Sequence, residues 1–280
     1  MKKVLFMRKI RHPLVGSVVE TIIVFFATFV LLKFVQGTWL NRWEPQSEVY
    51  RISGYCVILI VTLTAIILTR MPFRQFGMSK TNVQQSFHFT LAHFPFILAI
   101  SLSLNILSWR HLWPALLVVL IEWIVLFILI QRMQHLPDKM NDLKMDLISL
   151  LLIIAVGCVI YVVMGHSIAD TGFLLLFYLF IASPVEELLF RGYIQTRINR
   201  AFDRKFHFHG MEFGMGLPVS AALFSLAHLL NPFNPWLGQF DLSIPWALWT
   251  FVLGLILGIV REKEGGLSAP ILIHFFVNFL

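Results

Sequence analysis

The chain has 280 residues, of which 58% are hydrophobic and 13% are charged. A soluble core cannot bury that much apolar surface, so the composition excludes an ordinary water-soluble domain and a disordered chain. The net charge is +7, but the basic residues are spread over the connections between apolar segments. Because they do not cluster with aromatic residues on one module, we expect no nucleic-acid partner.

The apolar segments are long runs rather than alternating patterns. Only helices and closed barrels satisfy every backbone hydrogen bond in lipid, so these runs predict helices. We predict an all-α fold, a polytopic transmembrane helical bundle with about eight or nine transmembrane helices. Whether the eighth and ninth segments fully cross the membrane is open from sequence. The nine predicted segments are 15–36, 53–69, 86–107, 112–131, 146–164, 172–190, 216–230, 245–260 and 267–280.

The distribution of Lys and Arg predicts the orientation. With nine spans and a cytoplasmic N-terminus, most of the 22 Lys and Arg residues fall on the inside, as the positive-inside rule expects. The basic start runs into a first span that is too long for a signal-peptide core, so we expect it to be retained. Short basic loops and small size favour the plasma membrane of a bacterium. Cys56 and Cys158 lie within apolar runs and predict neither disulfides nor a zinc site.

Two adjacent carboxylates, Glu186 and Glu187, lie in a predicted span, followed by Arg191. Ionisable groups in a membrane are costly and need a reason. Ser183 followed by Pro184 resembles an N-cap with a capping-box glutamate at Glu186, which predicts that the helix breaks and restarts there. Glu187 and Arg191 are four residues apart and predict an ion pair on one helix face. Capping explains one carboxylate, and the second favours function.

Two later segments bring further polar groups to a similar depth: His228, four residues after Phe224, and His274, four residues before Asn278. Each has a structural alternative, as a satisfied core histidine or a helix-packing amide. Together with Glu186 they suit amide hydrolysis. Glu186 and His228 would deprotonate water, while His274 and Asn278 would donate hydrogen bonds to the oxyanion. Glutamate and histidine also bind zinc, so a metal site is the alternative, although no H-E-x-x-H is present.

The three motifs, E-E-x-x-x-R, F-x-x-x-H and H-x-x-x-N, resemble those of the CAAX prenyl endopeptidase and bacteriocin-processing (CPBP, Abi) family of intramembrane proteases. The resemblance covers about residues 180–280, with Gly254 and Gly258 similar to the family's glycine-bearing penultimate helix. We therefore divide one membrane domain into N-terminal transmembrane helices, 1–175, and a CAAX protease-like catalytic core, 176–280.

The resemblance implies that Glu186 activates water, that His228 assists it, and that His274 and Asn278 stabilise the oxyanion. Glu187, Arg191 and Phe224 would be supporting residues. It implies an intramembrane endopeptidase of glutamate type that acts on a membrane-associated or lipidated peptide, in CAAX-type or bacteriocin-type processing. We expect no obligatory cofactor, with zinc as the alternative. Expected partners are membrane lipid and the peptide or lipidated protein substrate.

Other classes of function compete with the protease. A non-catalytic scaffold or bacteriocin self-immunity factor would retain the fold without cutting, although every motif position is filled. A secondary transporter would more often show broken helices in both halves. Glu122 lies within an apolar segment and predicts a pairing with His88 or His93, or a second proton-relay site. A His207-x-His209 pair is a weak metal signal.

Overall fold

The computed structural model describes residues 13–41, 43, 47–78, 83–106, 112–133, 143–202, 205–208 and 211–280. Within these ranges the chain forms ten helices and one β-hairpin. The helices are α1 (Pro13–Thr38), α2 (Glu48–Leu68), α3 (Val83–Ala92), α4 (Phe94–Ile106), α5 (Leu112–Met133), α6 (Leu143–Val163), α7 (Ile168–Ala201), α8 (Gly216–Leu229), α9 (Ile244–Glu264) and α10 (Ser268–Phe279). Short 3₁₀ turns occupy Phe73–Phe76 and Pro235–Leu237.

The helical class is confirmed, and five of the described helices are long and apolar enough to cross a membrane. These are Val15–Thr38 in α1, together with α2, α6, α7 and α9. Three more are apolar but shorter, Leu116–Gln131, Gly216–Leu229 and Ser268–Phe279. Length and composition thus define a polytopic helical membrane protein, and they account for five of the eight or nine predicted spans.

Two predicted elements differ from the structure. The predicted span 86–107 is two helices, α3 and α4, with a turn at His93. Pro95 lies in the first turn of α4, where its missing N–H costs no hydrogen bond, so the sequence favours a helix start there. The connection between the predicted segments 172–190 and 216–230 contains a hairpin, in which Lys205–Phe208 pairs antiparallel with Met211–Gly214. His207 is exposed on the first strand, and its predicted partner His209 lies outside the described residues.

The helix α9 forms the centre of the packing. It is buried over most of its length, whereas α1, α2 and α6 expose most of their apolar surface. Gly254 allows close approach to α8, because a Cβ there would lie 3.0 Å from the Cα of Ala221. Helices α7, α8 and α10 pack around α9 or one another, and α2 packs on α7. This arrangement brings the polar residues of three helices to one place.

Candidate active site

Helix α7 carries the acidic pair and runs without a break through the predicted capping box. Ser183 has helical φ and ψ of −61° and −45° and makes no side-chain capping bond, so the predicted break at this position is wrong. The turn Tyr178–Ala182 is π-helical, and the Ser183 N–H donates to the carbonyl of Tyr178, five residues back. Pro184 cannot donate such a bond, and the wide turn directly precedes it. A second π-helical stretch, Leu188–Gln195, follows the acidic pair, and such turns are frequent at functional sites.

The two carboxylates of the pair have different surroundings. The Glu186 side chain is 14% exposed, and it lines an internal cavity. The Glu187 side chain is fully buried. Its Oε1 accepts a hydrogen bond of 2.9 Å from Arg191 Nη1, which confirms the predicted ion pair. One carboxylate is therefore available to a bound molecule, while the other belongs to a buried network.

Arg191 joins this network to α9 and α8. Its Nη2 donates to the carbonyl of Gly254 at 3.3 Å. The guanidinium carbon lies 4.5 Å from the centre of the Phe224 ring, a cation–π distance. Separating Glu187 from Arg191 would leave a buried charge without its partner, which is costly. The two side chains therefore stay together. The pair fixes α7 against α8 and α9 beside the cavity.

His274, on α10, lies between the two carboxylates. Its Nδ1 is 2.8 Å from Glu187 Oε1, and its Nε2 is 3.7 Å from Glu186 Oε2. An ionised carboxylate only accepts, so Nδ1 carries the proton in the bond to Glu187. Nε2 therefore remains free to face Glu186 and the cavity that His274 also lines. Glu187 orients the imidazole in the way that acidic partners orient catalytic histidines.

His228, near the end of α8, is held differently. Its Nδ1 is 2.9 Å from the carbonyl of Phe224, and because a carbonyl only accepts, Nδ1 donates. This leaves Nε2 as the acceptor of a neutral imidazole. The Phe224 ring is fully buried and packs against both His228 and His274, with ring centres 4.4 and 5.8 Å apart. Phe224 thus separates and orients the two imidazoles.

The cavity has a volume of about 370 Å³. Its lining includes all four residues predicted to be catalytic: Glu186, His228, His274 and Asn278. Asn278 lies on α10 one helical turn after His274. The three motifs, which are far apart in the sequence, therefore contribute polar side chains to one cavity in an apolar bundle.

Tyr55, on α2, is a site residue that the sequence analysis missed. Its hydroxyl donates a hydrogen bond of 2.5 Å to Glu186 Oε1. The ring packs edge-on against Phe177 at 5.3 Å. Arg51 and Tyr55 are four residues apart in a mostly apolar helix, and this polar pair was the available signal. Glu186 is therefore contacted from both α2 and α10.

Glu122 does not pair as predicted. It is fully buried on α5, and neither of its carboxylate oxygens has a hydrogen-bond partner among the residues that the structure describes. His88 lies instead 3.6 Å from Asp146, and the Nδ1 of His93 is 2.8 Å from the carbonyl of Phe89. Glu122 stands outside the lining of the cavity.

The side chains around the cavity offer few ligands for a metal ion. Across the described ranges, no group of three or more His, Cys, Asp and Glu side chains is placed to hold a metal ion. Glu187 Oε1 already accepts from Arg191 and His274, which leaves Glu186, Glu187 Oε2 and the imidazole Nε2 atoms as candidate ligands.

The helices and the cavity define a class: a polytopic helical membrane protein in which Glu, His and Asn side chains share one cavity. Residues 168–280 match the type II CAAX prenyl endopeptidase Rce1-like family, and we call this part of the chain the Rce1-like segment. The predicted resemblance is thereby confirmed for the segment that contains the three motifs. No curated protein and no solved structure matches the chain. The family match supports a function in the class of CAAX-type intramembrane proteases.

Proposed function

We propose that the protein is an intramembrane endopeptidase that hydrolyses a peptide bond in a membrane-associated or lipidated peptide or protein. The observation that carries this proposal is the shared cavity, in which Glu186, His228, His274 and Asn278 all take part. These groups lie within the Rce1-like segment. Ionisable groups at that depth are costly, and a hydrolytic site gives each of them a use.

In the proposed reaction Glu186 accepts a proton from a water molecule in the cavity. The imidazole Nε2 of His228 is an acceptor and assists by orienting that water or sharing its proton. The water oxygen then attacks the carbonyl carbon, and the electron pair of the C=O bond moves to oxygen. When the peptide C–N bond breaks, Glu186 returns its proton to the leaving nitrogen.

The oxyanion of the tetrahedral intermediate needs donors. Asn278 offers its side-chain N–H₂, and His274 offers Nε2–H when that nitrogen is protonated. Donors placed in advance in a cavity of low dielectric stabilise such charge more strongly than water does. The proposed mechanism is thus of glutamate type, with no obligatory cofactor.

The proposed location follows from the same features. We place the protein in a membrane, with lipid and a peptide or lipidated protein as partners and without nucleic acid. The bacterial plasma membrane and a cytoplasmic N-terminus are part of the proposal, and residues 1–12, which carry the first basic cluster, lie outside the described ranges.

The decisive experiment compares purified wild type with Glu186→Gln in detergent on tagged peptides, each made with and without a farnesyl group. We expect cleavage by wild type and a loss of about 10²- to 10⁴-fold in kcat for the variant. Glu48→Gln is the matched control, because Glu48 is an exposed carboxylate at the start of α2. If wild type and Glu186→Gln leave every peptide equally intact, the scaffold or self-immunity function replaces the protease.

A further inference from the structure

The β-hairpin between α7 and α8 has one apolar face. Its strands are β1 (Lys205–Phe208) and β2 (Met211–Gly214). Directly paired residues point to the same face of a hairpin, and successive residues of a strand alternate between faces. The antiparallel register therefore puts three aromatic rings and a methionine on one face, with Phe206 opposite Phe213 and Phe208 opposite Met211. Contiguous apolar surface of this kind marks an interaction site.

The opposite face of the hairpin is polar. Lys205 Nζ lies 3.1 Å from Glu212 Oε1 across the two strands, and His207 is paired with Glu212 in the register. All three residues are exposed. Ion pairs of this type are at home in contact with water, so the hairpin separates a face that suits water from one that does not.

The apolar face is covered in part by the protein itself. Met211 is buried, and Phe213 packs against the hydrophobic core, where β2 contacts α9. Phe206 stacks on Phe213 with ring centres 5.8 Å apart, yet it is 40% exposed. Phe208 is 48% exposed. The apolar face thus continues from the core of the membrane bundle to an exposed aromatic edge.

Asn199, near the end of α7, fixes the hairpin to the bundle. The N–H of Gly216 donates to Asn199 Oδ1 at 2.7 Å, and Asn199 Nδ2 donates to Glu262 on α9. A Cβ on Gly214 would lie 2.1 Å from Asn199 Oδ1, so this glycine allows β2 to approach α7 closely. The direction of the apolar face is therefore set by packing against two membrane helices.

Short connections keep the hairpin at the membrane surface. Met215 alone separates β2 from α8. Helix α8 has 14 residues, a length of about 21 Å at ~1.5 Å per residue, and His228 lies in its last turn. Half a bilayer measures ~15 Å for the hydrocarbon and ~20–22 Å with the headgroups. A cavity at mid-depth, reached by His228, therefore puts the start of α8 and the adjoining β2 in the headgroup layer.

Exposed cations and a further aromatic residue lie near the same end of α7. Arg200 is exposed in the last turn of α7, and its Nη1 is 3.1 Å from Met71 Sδ. Met71 precedes the turn Phe73–Phe76, in which Phe73 and Arg74 are both exposed. Aromatic residues beside Lys or Arg are typical of elements at the membrane–water interface. The hairpin and this turn both have that composition.

We propose that the hairpin is a membrane-surface anchor, whose apolar face inserts into the interfacial layer of the lipid bilayer. Phe206 and Phe208 point toward the acyl chains, and the polar face points toward water. Lipid is the occupant because the face is continuous with the membrane bundle and its connections are too short to carry it far from the headgroups. The anchor holds the ends of α7 and α8, the helices of Glu186 and His228, at a fixed depth. This inference does not depend on the proposed peptidase function.

The test measures the depth of spin labels on the full-length protein in vesicles of phosphatidylcholine and phosphatidylglycerol. Cys56→Ala and Cys158→Ala remove the two native cysteines. A single cysteine is then introduced as Phe206→Cys, Phe208→Cys or His207→Cys, the last being the matched control on the opposite face of the same strand. Power-saturation EPR compares collisions with O₂, which concentrates in lipid, and with Ni(II)-EDDA, which stays in water. We expect O₂ to dominate at both phenylalanine positions and Ni(II)-EDDA to dominate at His207.

Dominant collisions with Ni(II)-EDDA at Phe206 and Phe208 would place the apolar face in water and overturn the inference. Rare collisions with both reagents would show that protein covers this face, and would overturn it as well. Spin–spin broadening would then identify the cover as a second copy of the chain. If Phe206→Cys does not fold because the stacking on Phe213 is lost, Phe208→Cys carries the same test.

Discussion

The hydroxyl of Tyr55 donates a hydrogen bond of 2.5 Å to Glu186 Oε1, across 131 positions of sequence. The other carboxylate oxygen, Oε2, lies 3.7 Å from His274 Nε2. The carboxylate is thus held by α2 on one side and faces α10 on the other. The N-terminal helices therefore contribute directly to the geometry of the proposed general base.

Replacing Tyr55 by Phe should slow the reaction without unfolding the protein. The change removes one hydrogen bond to a carboxylate, worth about 1.5–3 kcal/mol, and retains the ring that packs on Phe177. We expect kcat to fall about 10- to 100-fold with a smaller change in KM, as for a positioning residue. Steady-state kinetics with a cleavable peptide measure both constants.

Tyr50→Phe is the matched control for this substitution, because Tyr50 also lines the cavity from α2. Tyr50→Phe should leave the midpoint of thermal unfolding unchanged, whereas Tyr55→Phe should lower the stability by no more than its one hydrogen bond contributes, about 1.5–3 kcal/mol. A Tyr55→Phe enzyme with wild-type kcat would show that the hydrogen bond to Glu186 has no part in catalysis.

The buried pair of Glu187 and Arg191 should control stability. Glu187→Ala leaves the Arg191 guanidinium, which is fully buried, without its anion, at a cost of about 3–5 kcal/mol. Replacing both residues with Met should cost less than Glu187→Ala alone, because no unpaired charge remains. Thermal unfolding in detergent ranks the three proteins. A double variant less stable than the single one would contradict this account.

The candidate site could be predicted from sequence to a large extent, because polar residues within apolar segments are few and costly. The cost of such residues identified Glu186, His228, His274 and Asn278 as candidates, and all four line one cavity. It did not identify Tyr55. The contact of Tyr55 with Glu186 depends on how α2 packs against α7, and helical periodicity does not specify such long-range contacts.

The local pattern at Ser183 was misleading for a different reason. Ser-Pro before a glutamate is typical of a helix start. The helix α7, which is 34 residues long, nevertheless continues through this position. A preceding π-helical turn absorbs the irregularity of Pro184. Because lipid penalises an open helix end inside the membrane, the fold retains one continuous helix where a soluble protein would start a second.

The two histidines should differ in what their loss does. The His274 side chain is part of the buried network, because its Nδ1 donates to Glu187 at 2.8 Å. His274→Ala should therefore lower both activity and stability, the latter by about 1–3 kcal/mol. His228 donates to a carbonyl of its own helix, and His228→Ala should lower kcat by about 10²-fold with a smaller loss of stability. Kinetics and thermal unfolding on the same samples separate the two effects.

Removing metal ions should leave the activity unchanged if Glu186 activates water directly. Incubation of the purified enzyme with EDTA or 1,10-phenanthroline, followed by dialysis, should retain at least most of the wild-type rate. A zinc enzyme would lose activity and regain it on addition of zinc. Such a recovery would replace the glutamate-type mechanism by a metal-dependent one at the same residues.

Close packing at Gly254 should be essential to the alignment of the site. A Cβ at this position would lie 3.0 Å from the Cα and 3.1 Å from the Cβ of Ala221, so α9 or α8 must shift. The Gly254 carbonyl also accepts from Arg191, and a shift would weaken that bond.

Gly172 on α7 is the matched control, because a Cβ there meets nothing within 4 Å. Alanine favours a helix over glycine by about 1 kcal/mol, so Gly172→Ala should unfold at an equal or higher temperature. Gly254→Ala should instead destabilise the protein by about 1–3 kcal/mol. It should also lower kcat, because Arg191 and Glu187 move. Equal stabilisation by both substitutions would mean that α8 and α9 tolerate separation, and that the buried pair does not depend on their close approach.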